Sequence, residues 1–503
     1  MQPMGGDRVV AVDVGTQSVR ALAFDRQGAL HGRVQVPLDP PFHTPQPGWA
    51  EQDPEVYWRA LVQACRGLWA RVDPARVAAL ALTTQRGTLV AAAEDGSPLR
   101  PAIVWPDQRL CSAPPSLGPL WNTLFALAGA GPLVKSLQRQ AEVNWLAQHQ
   151  SALRADRLVL LSTWLTHRLV GDWVDSAAGQ VGYLPFDYRR QQWAAPGSWH
   201  WRALAIRAEQ LPRLVKPGDG LGTLATGALG LPPGLPVIGA AADKACEVLG
   251  AGAHDPATAH LSFGTAAAIN TTQPRYLEVQ RLLPAYPAAV PGGFNTEIHI
   301  ERGFWLVSWF LREFGGTEAD LDALLAATPP GAMGLTALPH WSPGLCDPGP
   351  EAKGALVGFG DVHGRANVYR ALIEGLVLQL RAHRDRIERR TGRRLTRLVV
   401  SGGGSRSDGA LQIAADVFGM AAERPALADA SALGAAMMAA TGLGWFADVP
   451  AAARAMAAPV QRFEPAPDAV RLYDTIYAEV FRPLAARLAP IHRRIRAITG
   501  YPA

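Results

Sequence analysis

Residues 9–36 read VVAVDVGTQSVRALAFDRQGALHGRVQV. An apolar run over 9–12 meets Asp13, turns through Gly15-Thr16-Gln17-Ser18, and resumes as a strand-like run over 19–24. A second turn, Asp25-Arg26-Gln27-Gly28, leads into an alternating run over 29–36. Period and turn signals agree on a glycine-turned antiparallel meander. At its first turn the backbone N–H groups of Gly15, Thr16 and Gln17 can converge on an anion, with the hydroxyls of Thr16 and Ser18 alongside. Asp13, just before the turn, suits a cation carried with phosphates. An ordinary hairpin with a polar turn would read the same way.

The pattern returns downstream. Residues 259–271, AHLSFGTAAAINT, are an apolar strand, a Ser-x-Gly-Thr turn and a second apolar run. A third glycine turn follows at 398–405, LVVSGGGS, again a β run that opens into glycines and then a helix-like segment. Two such hairpins suggest two domains of similar construction, each offering a phosphate-binding turn to a shared cleft. No GxxxxGK[ST] run exists, so a P-loop is excluded. Ligands of α/β proteins gather at strand ends and domain interfaces, where these turns would fall.

In this order the motifs resemble those of the FGGY carbohydrate kinases, relatives of actin and hexokinase. DVGTQSVR (13–20) resembles the family's first phosphate motif, SFGTAAA (262–268) its second, and SGGGSRSDGALQIAADVFG (401–419) its adenosine motif. GALVGFGDVHGRANVYRALIEG (354–375) resembles the C-terminal signature, with Phe359 and Leu372 where other residues are usual. The resemblance implies an α/β fold of two actin-like (RNase H-like) domains flanking a catalytic cleft, divided at 1–252 and 253–503. It further implies ATP with Mg²⁺. ATP would be held by Gly15, Thr16, Gln17, Ser18, Gly264, Thr265, Gly402, Gly403, Gly404 and Ser405, and the metal by Asp13.

Composition narrows the alternatives. The 503 residues are 48% apolar and 18% charged, ordinary for a multidomain globular chain. A net charge of +5 and a pI near 9.2 invite a nucleic-acid reading. The basic residues are scattered, however, and the dense run RAHRDRIERRTGRRLTR (381–397) reads as the solvated face and end of a helix, so no nucleic-acid partner is expected. Cys65, Cys111, Cys246 and Cys346 show no CxxC spacing, which signals neither a zinc site nor a disulfide framework. MQPMGGDR at the start lacks the apolar core of a signal peptide, and no apolar run of about 18 residues appears. The expectation is a cytoplasmic protein without a membrane span, with a homodimer as an option.

The proline-rich stretch 37–54 ends in Asp53-Pro54, a cap and first residue for a helix over 55–72. A buried-type strand over 77–83 then opens onto Gln85-Arg86-Gly87, and a strand over 103–105 delivers Trp105-Pro106-Asp107-Gln108-Arg109. Polar and aromatic groups at successive strand ends suit a sugar, although a core tryptophan and solvated loops explain them equally. Residues 235–252 (LPVIGAAADKACEVLGAG) place Asp243 at a strand end before a helix-like stretch, as a general base or as a helix cap. Trp193, Trp199 and Trp201 read as packing residues, Trp305 and Trp309 as core, and 469–498 as a C-terminal helix.

The resemblance assigns roles here. TTQR (83–86) falls where glycerol kinases carry an arginine followed by glutamate; Gly87 in the acid's place argues against glycerol. VWPDQR (104–109) resembles the W-x-D-x-R segment of pentulose kinases, which supports a ketose or polyol. Gln85, Arg86, Trp105, Asp107 and Lys244 become substrate-binding candidates, and Asp243 matches the catalytic aspartate. Glu142 stands where a signature lysine is usual. Two rivals share the motifs: a non-metabolic ATPase of the same superfamily, and a binding regulator without catalysis.

Overall fold

The computed structural model describes residues 6–280, 283–344 and 348–501. Contacts divide the chain into two compact units. One comprises Met1–His254, Gln273–Asn295 and Asp429–Ala458; the other comprises Asp255–Thr272, Thr296–Ala428 and Pro459–Ala503.

The meander forms as its sequence requires. Arg8–Val14 pairs antiparallel with Ser18–Phe24, which pairs antiparallel with Leu30–Pro37. Arg8–Val14 also pairs in parallel with Val77–Thr84, so the first unit's main sheet runs Gly220–Thr223, Pro236–Gly239, Val77–Thr84, Arg8–Val14, Ser18–Phe24, Leu30–Pro37. All eight residues of Val77–Thr84 are buried. A parallel strand covered on both faces needs a continuous apolar run rather than alternation. The helix Pro54–Leu68 is capped by Asp53, whose carboxylate accepts the Glu55 N–H, with Pro54 in the first turn. Its Tyr57, Leu61, Cys65 and Leu68 share a core with Val10, Val12, Ala21 and Leu80.

The alternate residues Val9 and Ala11 are equally buried. The helix Ala430–Gly442 packs against the same strands and against the helix Asp243–Gly250. That last contact explains the small residues of both helices. A Cβ on Gly434 would lie 2.0 Å from the Cys246 carbonyl oxygen, and one on Gly250 would lie 1.9 Å from that of Ala430.

The second unit repeats the local plan. Thr258–Phe263 turns into antiparallel Ala267–Gln273 and runs parallel to Arg397–Ser401, which runs parallel to Ala422–Pro425. The helix Arg365–Thr391 is buried without interruption from Asn367 to Leu380.

Three sequence expectations are corrected. Trp305 and Trp309 are only half-buried; Leu306 and Phe310 turn inward instead. Trp305 lies beneath the Arg302 guanidinium and Trp309 packs on Trp341, so the aromatic pair borders the core. The strand expected over 103–105 is Ala102–Ile103, which leaves Trp105 beyond its end. The C-terminal helix is Pro467–Thr475 and Arg482–Thr499 joined by a π-helical Ile476–Phe481. The wider turn keeps Tyr473, Tyr477 and Phe481 on one buried line and leaves Val480 exposed.

Cys65, Cys111 and Cys246 are buried thiols, and Cys346 lies outside the described residues. Among the described residues no helix is long and apolar enough to cross a membrane.

Candidate active site

The first glycine turn uses more of its own groups than its sequence suggests. The Gly15 N–H closes the turn on the Ser18 carbonyl at 3.1 Å, and the Ser18 hydroxyl accepts the Gln35 side-chain amide at 3.2 Å. Thr16 donates its hydroxyl to Gln85 Oε1 at 2.5 Å and accepts the Trp105 indole N–H at 2.8 Å. Among the described residues the amides of Thr16 and Gln17 donate to no backbone carbonyl. Of the five groups expected to meet an anion, three therefore serve the turn and its neighbours.

Beside this turn lies a set of acids. Asp13 ends its strand buried, and hairpin register puts Arg20 directly opposite. Arg20 donates to Asp13 Oδ2 at 3.2 Å. Burial lifts the Asp13 carboxyl to about 7; Arg20 opposes the rise, while Asp243, Asp429 and Glu247 add to it.

Asp243 begins the helix Asp243–Gly250, and its Oδ1 accepts the Lys244 N–H at 2.7 Å. Withdrawal from water raises its pKa above the usual carboxylate range, against the pull of Arg86 and then Lys244. Two cations near a base would lower its pKa, but here desolvation outweighs them. Lys244 forms an ion pair with Glu247 one turn along the helix. Arg86, half-buried, sits over the Tyr286 ring at 5.3 Å, and Tyr286 meets Tyr188 edge-on at 5.6 Å.

The remaining sugar-site candidates separate into exposed and buried groups. Trp105 is 58% exposed and is held by its indole N–H rather than by a core. Gly87 adopts φ +62° and donates its N–H to the Val181 carbonyl at 3.0 Å. The left-handed backbone favours glycine at this position independently of any missing acid.

Asp107 faces inward: its carboxylate accepts the Ala50 N–H at 2.6 Å and two Arg109 side-chain bonds at 2.8 and 2.7 Å. Arg109 lies over the rings of Trp49 and Trp145, which meet edge to face, and pairs with Glu51. Asp107 thus clamps the segment that carries Trp105. Gln85 is also buried, with Oε1 on Thr16 and Nε2 donating to the Tyr57 hydroxyl at 3.1 Å.

In the second unit the Gly264 and Thr265 carbonyls accept the N–H groups of Phe304 and Trp305, where the helix Trp305–Phe314 starts. The turn's carbonyls are thereby committed, while among the described residues the Gly264 and Thr265 amides donate to no backbone carbonyl outside the strands. At the third glycine turn, Gly402 has φ +91° and a Cβ there would lie 2.8 Å from Phe263 backbone. A Cβ on Gly404 would strike the Phe304 ring at 2.3 Å, a ring stacked on Phe263. Only Gly403 faces open space. The Ser405 hydroxyl donates to the Gly402 carbonyl at 2.7 Å, so it braces the turn.

Sequence reasoning missed Arg20, Tyr57, Glu247 and Tyr286. Two were readable: residue 20 faces residue 13 once the hairpin register is written out, and Glu247 lies one helical turn beyond Asp243. Tyr57 and Tyr286 arrive from distant segments and carry no local signal. Among the described residues, no group of three or more His, Cys, Asp or Glu side chains could hold a metal.

Residues 8–250 match the FGGY family of carbohydrate kinases, N-terminal domain, and residues 259–443 match its C-terminal domain. An uncharacterised sugar kinase of Escherichia coli is 28% identical over 95% of this chain and 93% of its own length. A glycerol kinase of Gloeobacter violaceus is 30% identical over 88% and 89%. The crystal structure of xylulose kinase from Rhodospirillum rubrum superposes with a TM-score of 0.81 at 25% identity, covering 97% of this chain and 100% of that one. Plasmodium falciparum glycerol kinase with ADP is alike in fold, with a TM-score of 0.77 at 17% identity over 93% and 96%. The α/β, two-domain actin-like fold expected from the motifs is the fold of these neighbours. With both domains matched in order along the chain, the protein belongs to the FGGY family of carbohydrate kinases.

Proposed function

We propose that the protein transfers the γ-phosphoryl group of ATP to a hydroxyl of a ketose or polyol, with Asp243 as general base. The observation that carries this reading is the composition of the Asp243 surroundings. A desolvated carboxylate at a helix start lies within electrostatic reach of Arg86 and of the buried Asp13, and Trp105 stands exposed beside the adjoining turn.

In the reaction the acceptor hydroxyl gives its proton to the Asp243 carboxylate. Its oxygen bonds to the γ-phosphorus as the bond to the β–γ bridging oxygen breaks, yielding ADP and a phosphate monoester. Such transfers are driven by positioning and charge stabilisation. The raised pKa makes Asp243 a stronger base once ionised. Arg86 and Trp105 would supply hydrogen bonds and an apolar face to the acceptor. Glycine turns 15–17 and 264–265 would supply amides to phosphates, and Gly403 the open face of the nucleotide turn. Asp13 fits Mg²⁺, because a buried carboxylate held near neutrality beside a second acid regains its charge when a cation arrives. Phosphate-bound Mg²⁺ needs only one or two protein carboxylates. Bound there, it would neutralise phosphate charge.

The absence of an acid at Gly87 and the VWPDQR segment favour a sugar larger than glycerol. An ADP-release assay over ketoses, pentitols, aldoses, sugar acids and glycerol tests this. Turnover with a ketose or polyol, well above the rate without sugar, is expected. A rate independent of sugar would instead mark an ATPase, and no turnover with any acceptor a silent binder. Asp243→Asn should lower kcat by about 10²–10⁴-fold while the fold and nucleotide binding persist; near-normal turnover would remove it as the base.

A further inference from the structure

Gln85 carries the next step. It is 5% exposed, and its polar groups are in use: the N–H on the Val14 carbonyl at 2.9 Å, Oε1 on Thr16, and Nε2 on Tyr57. Both ends of its carboxamide are held within the protein. A carboxamide presents its acceptor on one side and its donors on the other, so the two side-chain bonds fix which way Thr16 turns. The Thr16 hydroxyl has one proton, given to Gln85, and its oxygen receives the Trp105 indole N–H. Thr16 therefore acts as an acceptor toward Trp105, not as a hydroxyl donor to a phosphate. Tyr57 anchors the far end: its ring is fully buried in the core of the helix Pro54–Leu68, and burial pushes its hydroxyl up to about 12, so it stays neutral. An exposed indole, a phosphate turn, a buried strand end and a core tyrosine are thus joined by three hydrogen bonds.

We propose that the series Trp105–Thr16–Gln85–Tyr57 couples acceptor binding to nucleotide binding, with Gln85 and Tyr57 as positioning residues that set the backbone amides of Thr16 and Gln17. The proposal rests on the reading of Trp105 as the acceptor's apolar wall and of residues 15–17 as a phosphate turn. A sugar seated on the indole restrains its ring. The indole holds the Thr16 hydroxyl, and the amides of the same turn follow. Linkage makes the effect reciprocal: if the acceptor tightens nucleotide binding, the nucleotide tightens acceptor binding by the same factor.

The test measures MgADP affinity by calorimetry with and without a saturating concentration of the most active sugar from the panel above. The wild type should bind MgADP about 5-fold or more tightly when the sugar is present, within the usual range of coupling. Tyr57→Phe and Thr16→Val should each bring that ratio towards 1, whatever each does to the separate affinities. Thr16→Ser, which keeps the hydroxyl, should restore the ratio. Should Tyr57→Phe fail to fold, Thr16→Val on the half-exposed turn decides alone. No coupling in the wild type, or wild-type coupling in Thr16→Val, overturns the proposal. An unchanged sugar KM in Trp105→Phe would overturn the acceptor reading itself, which separates the two failures.

Discussion

At the scale of single residues, the two carboxylates near the first turn are the informative groups. Asp13 has a folded-state pKa near 7 against an ordinary 3.8, because burial disfavours its charge more than Arg20 favours it. The folded protein therefore holds a proton that the unfolded chain releases between about pH 4 and 7, so this group's contribution to stability falls as pH rises through that window. At roughly 1.4 kcal/mol per pKa unit, the loss is on the order of a few kcal/mol. In EDTA at pH 8, Asp13→Asn should melt at a higher temperature than the wild type, and MgATP should stabilise the wild type but not the variant. A lower Tm for the variant in EDTA would show that Asp13 is not strained by its burial. For Asp243 the sign concerns activity. A base must be ionised, so kcat/KM should fall on the acid side with a midpoint above the usual carboxylate range. A midpoint at or below about 4 would mean that the cations Arg86 and Lys244 win.

At the scale of elements, close packing sets the site as much as the polar groups do. The helix that begins with Asp243 rests on the helix Ala430–Gly442 at two glycine contacts, Gly250 and Gly434. Gly434→Ala inserts a methyl group 2.0 Å from the Cys246 carbonyl oxygen, which only a separation of the helices can relieve. Overpacking of this kind costs about 1–3 kcal/mol. Chemical denaturation should show that loss, and kcat should fall with it because Asp243 shifts with its helix. Wild-type kcat in a destabilised variant would mean that the Asp243 position does not depend on this contact. The buried Arg109, held by Asp107 and Glu51 against Trp49 and Trp145, does comparable work for the segment carrying Trp105. The residues TTQR and VWPDQR were legible as strand-end segments near a site. Which of them face outward was not, since Gln85 finds Tyr57 28 positions away and Asp107 finds Ala50 57 positions away.

At the scale of the whole molecule, the two compact units are not consecutive halves of the chain. The first takes Asp429–Ala458 from far downstream, including the helix that covers its parallel strands. Parallel sheets are stable only with both faces covered. A fragment of residues 1–254 should therefore show no cooperative melt and should bind the apolar dye ANS, and co-expression with a segment carrying 429–458 should improve its solubility. A sharp melt for the fragment alone would refute this.

The sequence by itself determined the elements whose cause is local. The meander follows from a period of two broken at glycine turns, the helix start at Pro54 from Asp53, and the family from four motifs in order. Tertiary structure alone decided how the polar groups are spent. Hydrogen-bond partners and desolvation depend on what distant segments bring alongside, and no local pattern encodes that. So Ser18, Gln85, Asp107 and Ser405, expected as ligands from the sequence, each hold a neighbouring group in the fold. Asp243, with two cations nearby, still titrates upward because packing takes it out of water.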